Sequence, residues 1–180
     1  VLLMGGDMGQ RKLLPDFALS TLQAMQRGFA SQGSIYAVTS RRTSPAVGSA
    51  LAAAMRPQDR IFLWGKSQGQ NPYFGLLAHG DSFTVTADSL SMLVEVARLG
   101  KPLLIAEPPE RGGLFGLGAR LAAAWRARDL RKALKLLYDG GYAARLGAPL
   151  RTPPVSLADD VQLVGERLRA LVEGKVEPPR

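Results

Sequence analysis

Two adjacent arginines, Arg41 and Arg42, separate an apolar run from a helical one in the stretch TSRRTSPAVGSAL. A guanidinium presents a planar fork that matches two phosphate oxygens at once. Cations at the positive end of a helix dipole are unfavourable unless an anion is expected there. We therefore predict that one of the two arginines contributes to an anion site. The alternative is that one or both reach into solvent or pair with a surface carboxylate.

A double glycine, Gly5 and Gly6, ends the first apolar run of the chain, in the stretch GGDMGQ. Glycine admits positive φ and close backbone approach, so successive amides can point at an anion. The stretch lacks the G-x-G-x-x-G pattern, and it lacks the Lys and Ser/Thr of a P-loop. Phosphate binding and a plain tight turn are both open readings of it.

A third polar group lies in the stretch TADSLSMLVE, where Asp88, Ser89 and Ser91 mark the passage from a strand into a helix. Hydroxyls and free amides at a helix start form a cradle for an anion. Glu95 falls about one and a half turns into that helix, where its carboxylate can accept two sugar hydroxyls. Ordinary N-capping explains Asp88 or Ser89 as well, and pairing with Arg98 explains Glu95.

The elements that must position these residues alternate between strand and helix five times. The strand-like runs are VLLMGG, SIYAVTS, DRIFLWG, DSFTVTA and KPLLIAE. Asp16 is a candidate cap for the first helix, and Ser44 followed by Pro45 predicts the start of the second. The alternation predicts an α/β fold: a Rossmann-like, doubly wound parallel sheet of about five strands with helices on both faces.

Ligands of such sheets bind beyond the carboxyl ends of the strands, where the strand order reverses. Each of the three polar groups directly follows a predicted strand. We therefore expect the ends of the first, second and fourth strands to converge on one anion-binding pocket.

Composition narrows the classes of function. The 180 residues include no cysteine and one histidine, which excludes a disulfide framework and a thiolate metal site, and we predict no metal. No apolar run approaches the roughly 20 residues of a membrane-spanning helix, so we expect no transmembrane segment and leave peripheral membrane contact open. The net charge of +8 favours anionic partners. Nucleic acid is not expected, because basic and aromatic residues do not interleave.

The runs TSRRTSP and NPYFGLLAHGDSFTVTADSLSMLVEVARLGKPLL, with the opening GG, resemble the "elongated mitochondria" family of mitochondrial-fission proteins, which has plant and bacterial members. The resemblance covers most of Val1 to about Glu107. That family is similar in turn to the carboxyl-terminal, Rossmann-like domains of GT-B glycosyltransferases and UDP-GlcNAc 2-epimerases. The resemblance implies binding of a nucleotide-diphosphate sugar of the UDP type, with no further cofactor required. The matching positions are Gly5, Gly6, Ser89, Ser91 and Glu95.

The resemblance also implies a domain organisation. Residues 1–150 would form the nucleotide-sugar-binding domain, and residues 151–180 a linker and a carboxyl-terminal amphipathic helix. That helix, Leu157 to Glu173, would pack on the same domain or on an upstream acceptor-binding half. Because the chain opens on VLLMGG without an initiator Met, we expect a fragment of a longer protein.

The implied function is the donor-binding part of a glycosyltransferase-like, cytoplasmic or membrane-peripheral bacterial protein with an unknown acceptor. The sequence leaves open whether the protein is an enzyme. If it is one, a glycosyltransferase and an epimerase-like enzyme are both open. The alternative is a non-catalytic adaptor with a degenerate sugar-nucleotide site, because plant relatives are associated with recruiting a dynamin-like fission protein.

Overall fold

The computed structural model describes residues 1–7, 12–28, 33–108 and 130–154, together with residues 157 and 169. Within these residues a six-stranded, wholly parallel sheet has the order β3-β2-β1-β4-β5-β6. The predicted α/β, doubly wound parallel sheet is confirmed. The strands are β1 (Leu2–Met4), β2 (Tyr36–Thr39), β3 (Arg60–Phe62), β4 (Phe83–Thr86), β5 (Leu103–Ala106) and β6 (Ala144–Arg145).

Helices cover both faces of this sheet. One face carries α1 (Pro15–Gly28) and α2 (Pro45–Ala54), and the other carries α3 (Tyr73–His79), α4 (Leu90–Arg98) and α5, whose described helical residues are 130–139. The side chains of β1 show how one strand serves both layers. Leu2 and Met4 pack with α1 and α2, whereas Leu3 packs with the opposite layer, because successive side chains of a strand alternate between faces.

The sixth strand goes beyond the predicted five. β6 is only two residues long and pairs with β5 through Leu104 with Ala144 and Ile105 with Arg145. Two residues, one of them charged, show neither the alternation nor the apolar run by which a strand is recognised in a sequence.

The predicted start of α2 is confirmed, since Pro45 is its first residue and the Ser44 hydroxyl accepts the Val47 amide at 3.4 Å. The predicted cap at Asp16 was wrong. The first helix begins at Pro15, two residues before the start that a cap at Asp16 implies, and Asp16 lies in its first turn. Proline suits that first position because its fixed φ is already helical and it has no amide to leave unpaired.

The carboxyl-terminal segment contacts the domain at Leu157. The Leu157 amide donates to the Ala97 carbonyl at 3.2 Å, and the Leu157 side chain packs against the core beside α4. Apart from Leu157 and Arg169, the predicted carboxyl-terminal helix lies outside the described residues. No helix within the described ranges is long and apolar enough to cross a membrane.

A buried carboxylate, that of Asp59, connects the segments that lead into β2 and β3. Asp59, 5% exposed, accepts hydrogen bonds from the Ile35 amide at 2.9 Å and from the Arg56 guanidinium at 2.9 and 3.0 Å. Burial by itself raises the pKa of Asp59, but these bonds and those from the Arg56 amide and Gln26 outweigh it and lower the pKa to about 2. The ionised form is therefore the one that the fold stabilises.

Asp59→Asn should lower the free energy of unfolding at pH 7 by about 2 kcal/mol, because a shift of the pKa below its ordinary value is stability gained by the charged form. That stability is present above the unfolded pKa and is lost as the pH falls towards the folded value of about 2. Urea unfolding at neutral and acid pH measures the difference between the two proteins.

Asp139→Asn is the matched control, since Asp139 is an exposed partner of Lys135 in an i,i+4 pair and should change stability by less than about 0.5 kcal/mol. A difference between Asp59→Asn and the native chain that stays constant down to the lowest pH would contradict the ionised assignment.

Candidate functional site

The candidate site lies where the strand order of the sheet reverses, between β1 and β4. From β1 the chain moves to β2 and β3 on one side, and then crosses to β4, β5 and β6 on the other. The carboxyl ends of β1 and β4 are therefore neighbours whose following loops leave in opposite directions, the position where doubly wound sheets bind ligands.

Gly5 and Gly6 join the end of β1 to the end of β4 directly. The Gly5 amide donates to the Thr86 hydroxyl at 2.8 Å, and the Gly6 amide donates to Asp88 Oδ2 at 2.7 Å. A Cβ on Gly5 would lie 2.0 Å from Asp88 Oδ2. Neither glycine has positive φ. Glycine is required here for close approach, not for an unusual backbone conformation.

The same loop is also joined to the end of β2. The Ser40 amide donates to the Met4 carbonyl at 3.0 Å, and the Asp7 amide donates to the Arg42 carbonyl at 3.1 Å. The Thr43 hydroxyl donates to the Gly5 carbonyl. A Cβ on Gly6 would lie 2.1 Å from the carbonyl carbon and oxygen of Arg42. The predicted convergence of the first, second and fourth strand ends is therefore present in the geometry.

The Asp88 carboxylate accepts the hydrogen bond of the Gly6 amide, one of the amides for which phosphate binding was an open reading of the sequence. Its Oδ2 accepts the Gly6 amide, while its Oδ1 is buried and has no hydrogen-bond partner among the described residues. Burial raises the pKa of Asp88, although the Gly6 amide and the charge of Arg42 act in the opposite direction. The Gly6 amide therefore already bonds a carboxyl oxygen, and that oxygen belongs to the protein itself.

Arg41 and Arg42 are exposed in the turn between β2 and α2. The Arg42 amide donates to the Ser40 hydroxyl at 3.1 Å, which fixes the backbone of the turn. Within the part of the chain that the structure describes, neither guanidinium forms a salt bridge. Both side chains are exposed, and the charge of Arg42 acts to lower the pKa of Asp88, against the larger effect of burial.

The backbone amides in the first turn of α4 receive no capping hydrogen bond from the N-cap side chain. Ser89 is the N-cap and is 4% exposed, yet its hydroxyl makes no capping bond to the helix. Ser91 is exposed in the first turn. The amides of this turn therefore lack the side-chain acceptor that usually satisfies them.

Glu95 is held by a partner that sequence reasoning missed. The Tyr73 hydroxyl, at the start of α3, donates to Glu95 Oε2 at 2.6 Å. Burial raises the pKa of Tyr73, and the hydrogen bond to Glu95 adds to the effect, so the phenol stays protonated. Both carboxylate oxygens of Glu95 still carry acceptor lone pairs, and the hydrogen bond from Tyr73 fixes the orientation of that carboxylate. Nothing local in the sequence marks residues 73 and 95 as partners.

The predicted residues thus fall into two groups. Backbone or side-chain contacts join Gly5, Gly6, Arg42 and Asp88, and Arg41 and Ser89 adjoin these in the chain. Glu95 is bonded to Tyr73 instead, and among the described residues the amides of Gly5 and Gly6 donate to Thr86 and Asp88 rather than to Ser91. Within the described residues, no group of three or more His, Cys, Asp or Glu side chains is arranged to hold a metal ion.

Gly6→Ala should destabilise the fold by about 1–3 kcal/mol, because the new methyl group meets the Arg42 backbone, which cannot rotate away as a side chain can. Gly33→Ala is the control, since nothing lies within 4 Å of a Cβ at Gly33. Urea unfolding compares the two variants, and equal stabilities would contradict the close packing of β1 against β2.

The chain is similar in sequence to two proteins of other organisms. Over 90 residues the chain is 32% identical to the mitochondrial fission protein ELM1 of Arabidopsis thaliana, a stretch covering 50% of this chain and 21% of that protein. Over 114 residues it is 30% identical to the uncharacterized protein RP120 of Rickettsia prowazekii (strain Madrid E), covering 62% of this chain and 32% of that one. The matched stretches thus span less than two thirds of either relative. No solved structure matches.

The model of one protein family matches residues 1–162, which include every predicted site residue. The resemblance found in the motifs is thereby confirmed, and the chain belongs to the mitochondrial fission ELM1 family.

Proposed function

We propose that the chain is the nucleotide-diphosphate-sugar-binding domain of a glycosyltransferase-like protein. The observation that carries the proposal is the meeting of the β1, β2 and β4 ends at the reversal of strand order, around an amide that already bonds a carboxyl oxygen. In doubly wound sheets this is where the phosphates of nucleotides bind.

The proposed site holds the diphosphate from two sides. Arg41 and Arg42 supply exposed cationic forks on one side, and the first turn of α4 supplies amides that Ser89 leaves uncapped on the other. Such donors stabilise a leaving diphosphate without a metal ion. Glu95, oriented by Tyr73, accepts the hydroxyls of the nucleoside sugar. The donor would be of the UDP-sugar type, and its acceptor would bind a part of the protein outside the matched region.

Asp88 sets a condition on this site. A phosphate that approaches the Gly6 amide meets a carboxylate that already uses it, so diphosphate and Asp88 compete for one donor. Arg42 lies close enough to influence Asp88 and lowers the electrostatic cost of bringing a second anion to the pocket.

Glu95→Ala should weaken the binding of UDP about ten- to a hundredfold, which corresponds to the loss of two charge-assisted hydrogen bonds. Calorimetric titration of the purified chain with UDP measures the change. The control is Glu107→Ala, because Glu107 follows β5 and bonds Tyr138 and Arg145 rather than the proposed site. Equal affinities of Glu95→Ala and the native chain would remove Glu95 from the site.

Arg42→Gln and Asp88→Asn should change the affinity for UDP in opposite directions, because one removes a cation beside the diphosphate and the other removes a competing anion. We expect about fivefold weaker binding for Arg42→Gln and tighter binding for Asp88→Asn. Arg60→Gln, on the far edge strand β3, is the control and should bind as the native chain does. If both site variants bind like that control, the diphosphate lies elsewhere.

A second candidate is a non-catalytic adaptor with a degenerate nucleotide site. The observation in its favour is that the amides of Gly5, Gly6 and Asp7 are all used within the protein. Thermal-shift measurements with UDP, GDP and their sugars separate the two candidates, since a ligand that binds only the folded state must stabilise it. Absence of stabilisation at saturating ligand favours the adaptor. For either candidate the proposed location is cytoplasmic, with the charge of +8 favouring contact with anionic membrane surfaces.

A further inference from the structure

Three large apolar side chains are exposed near the carboxyl ends of β3 and β4. Trp64, two residues beyond β3, is 46% exposed, and Phe74, the second residue of α3, is 79% exposed. Leu90, the first residue of α4, is exposed as well. Because a helix that follows a parallel strand begins at the carboxyl edge of the sheet, all three belong to that edge. Apolar side chains exposed together in this way indicate contact with another surface.

The backbone around Trp64 is fixed by hydrogen bonds. The Trp64 amide donates to the Thr39 hydroxyl at 2.9 Å. The Leu63 amide donates to the Ser67 hydroxyl at 2.8 Å, and the Ser67 amide donates to the Leu63 carbonyl at 2.9 Å. Gly65 has a φ of 71° in this turn, a conformation that favours glycine. The exposed indole is therefore presented by a well-bonded turn.

Phe74 is also held in place by its neighbours. Its ring packs edge-to-face on that of Tyr73 with the centroids 5.5 Å apart, and the Tyr73 hydroxyl is bonded to Glu95 on α4. The Asn71 side chain accepts the Tyr73 amide at 3.0 Å, just before the helix. The start of α3 is thereby fixed against α4 while the Phe74 ring stays exposed.

Three cations lie at the same edge of the sheet. Arg41 and Arg42 follow β2, Lys66 follows Trp64 by two residues, and all three are exposed. Trp64 and Lys66 line a small cleft together with Thr43, which directly follows Arg42. None of the three cations forms a salt bridge with another described residue. Their charges are therefore not neutralised by a contact within the described chain.

The carboxylates nearest to these cations are already hydrogen bonded. Asp88 accepts the Gly6 amide, and Glu95 accepts the Tyr73 hydroxyl. The unpaired charge beside the apolar side chains is therefore positive. Trp, Phe and Leu beside Lys and Arg are typical of surfaces that attach to anionic bilayers, where the cations bind lipid phosphates and the apolar groups enter the headgroup region.

We propose that these side chains form a docking surface for an anionic membrane, made of Arg41, Arg42, Trp64, Lys66, Phe74 and Leu90. They come from four separate segments: two turns and the starts of α3 and α4. A partner must be broad to reach all of them, as a bilayer is. The proposal goes beyond the proposed function, because membrane binding through this surface needs no nucleotide.

The test is sedimentation of the full chain with vesicles of phosphatidylcholine, with and without phosphatidylglycerol. The chain should bind saturably to the mixed vesicles alone, and binding should weaken as salt is added. Trp64→Ser and Phe74→Ser should each weaken binding about tenfold, and Lys66→Gln about fivefold. Because these side chains are exposed, the variants should keep the melting temperature of the native chain.

Leu136→Ser and Arg60→Gln are the matched controls and should bind as the native chain does. Leu136 is 71% exposed in the last turn of α5, and Arg60 is exposed at the start of β3, so both lie towards the amino edge of the sheet.

Three results would overturn the proposal. The first is no binding to the mixed vesicles, or equal binding to phosphatidylcholine alone. The second is binding by Trp64→Ser and Phe74→Ser that equals that of Leu136→Ser. The third is a dimer of the native chain, detected by light scattering and lost in Trp64→Ser and Phe74→Ser, since a second copy would then cover this surface.

Discussion

The close approach of two strand ends, those of β1 and β4, governs the rest of the carboxyl edge of the sheet. Gly5 and Gly6 come near enough to Thr86 and Asp88 for direct hydrogen bonds because neither carries a Cβ. The same absence of side chains lets the Arg42 backbone lie against Gly6 from the other side. Three segments that are far apart in the chain are therefore fixed around one point, and the polar side chains that follow them are brought together.

This arrangement places a carboxylate inside what would otherwise be an anion-binding loop. The Gly6 amide bonds Asp88, and the charge of Arg42 acts on the same carboxylate while its guanidinium stays exposed. The pocket consequently has a structural role even when it is empty. The same geometry is compatible with both candidate functions. In the nucleotide-binding candidate a phosphate must compete with Asp88 for the Gly6 amide. In the adaptor candidate no ligand replaces Asp88 there.

Much of the fold follows from the sequence because apolar runs and helix signals are local. The five runs became β1 to β5, and Ser44 with Pro45 began α2 as expected. Contacts between residues distant in the chain were not predictable in this way. The bonds of Gly6 to Asp88 and of Tyr73 to Glu95 join residues 82 and 22 positions apart. Reasoning from each motif separately therefore could not name Asp88 as the partner of the Gly6 amide or Tyr73 as the partner of Glu95.

The central claim is that the three strand ends form one pocket that takes up a diphosphate. An amide-resolved NMR titration of the chain with UDP tests it most directly, because each backbone N–H reports its own surroundings. The account predicts saturable shifts that are largest at Gly6, Arg42, Asp88 and Ser89. Shifts concentrated on other parts of the molecule, or no saturable shift at these four amides, would contradict it.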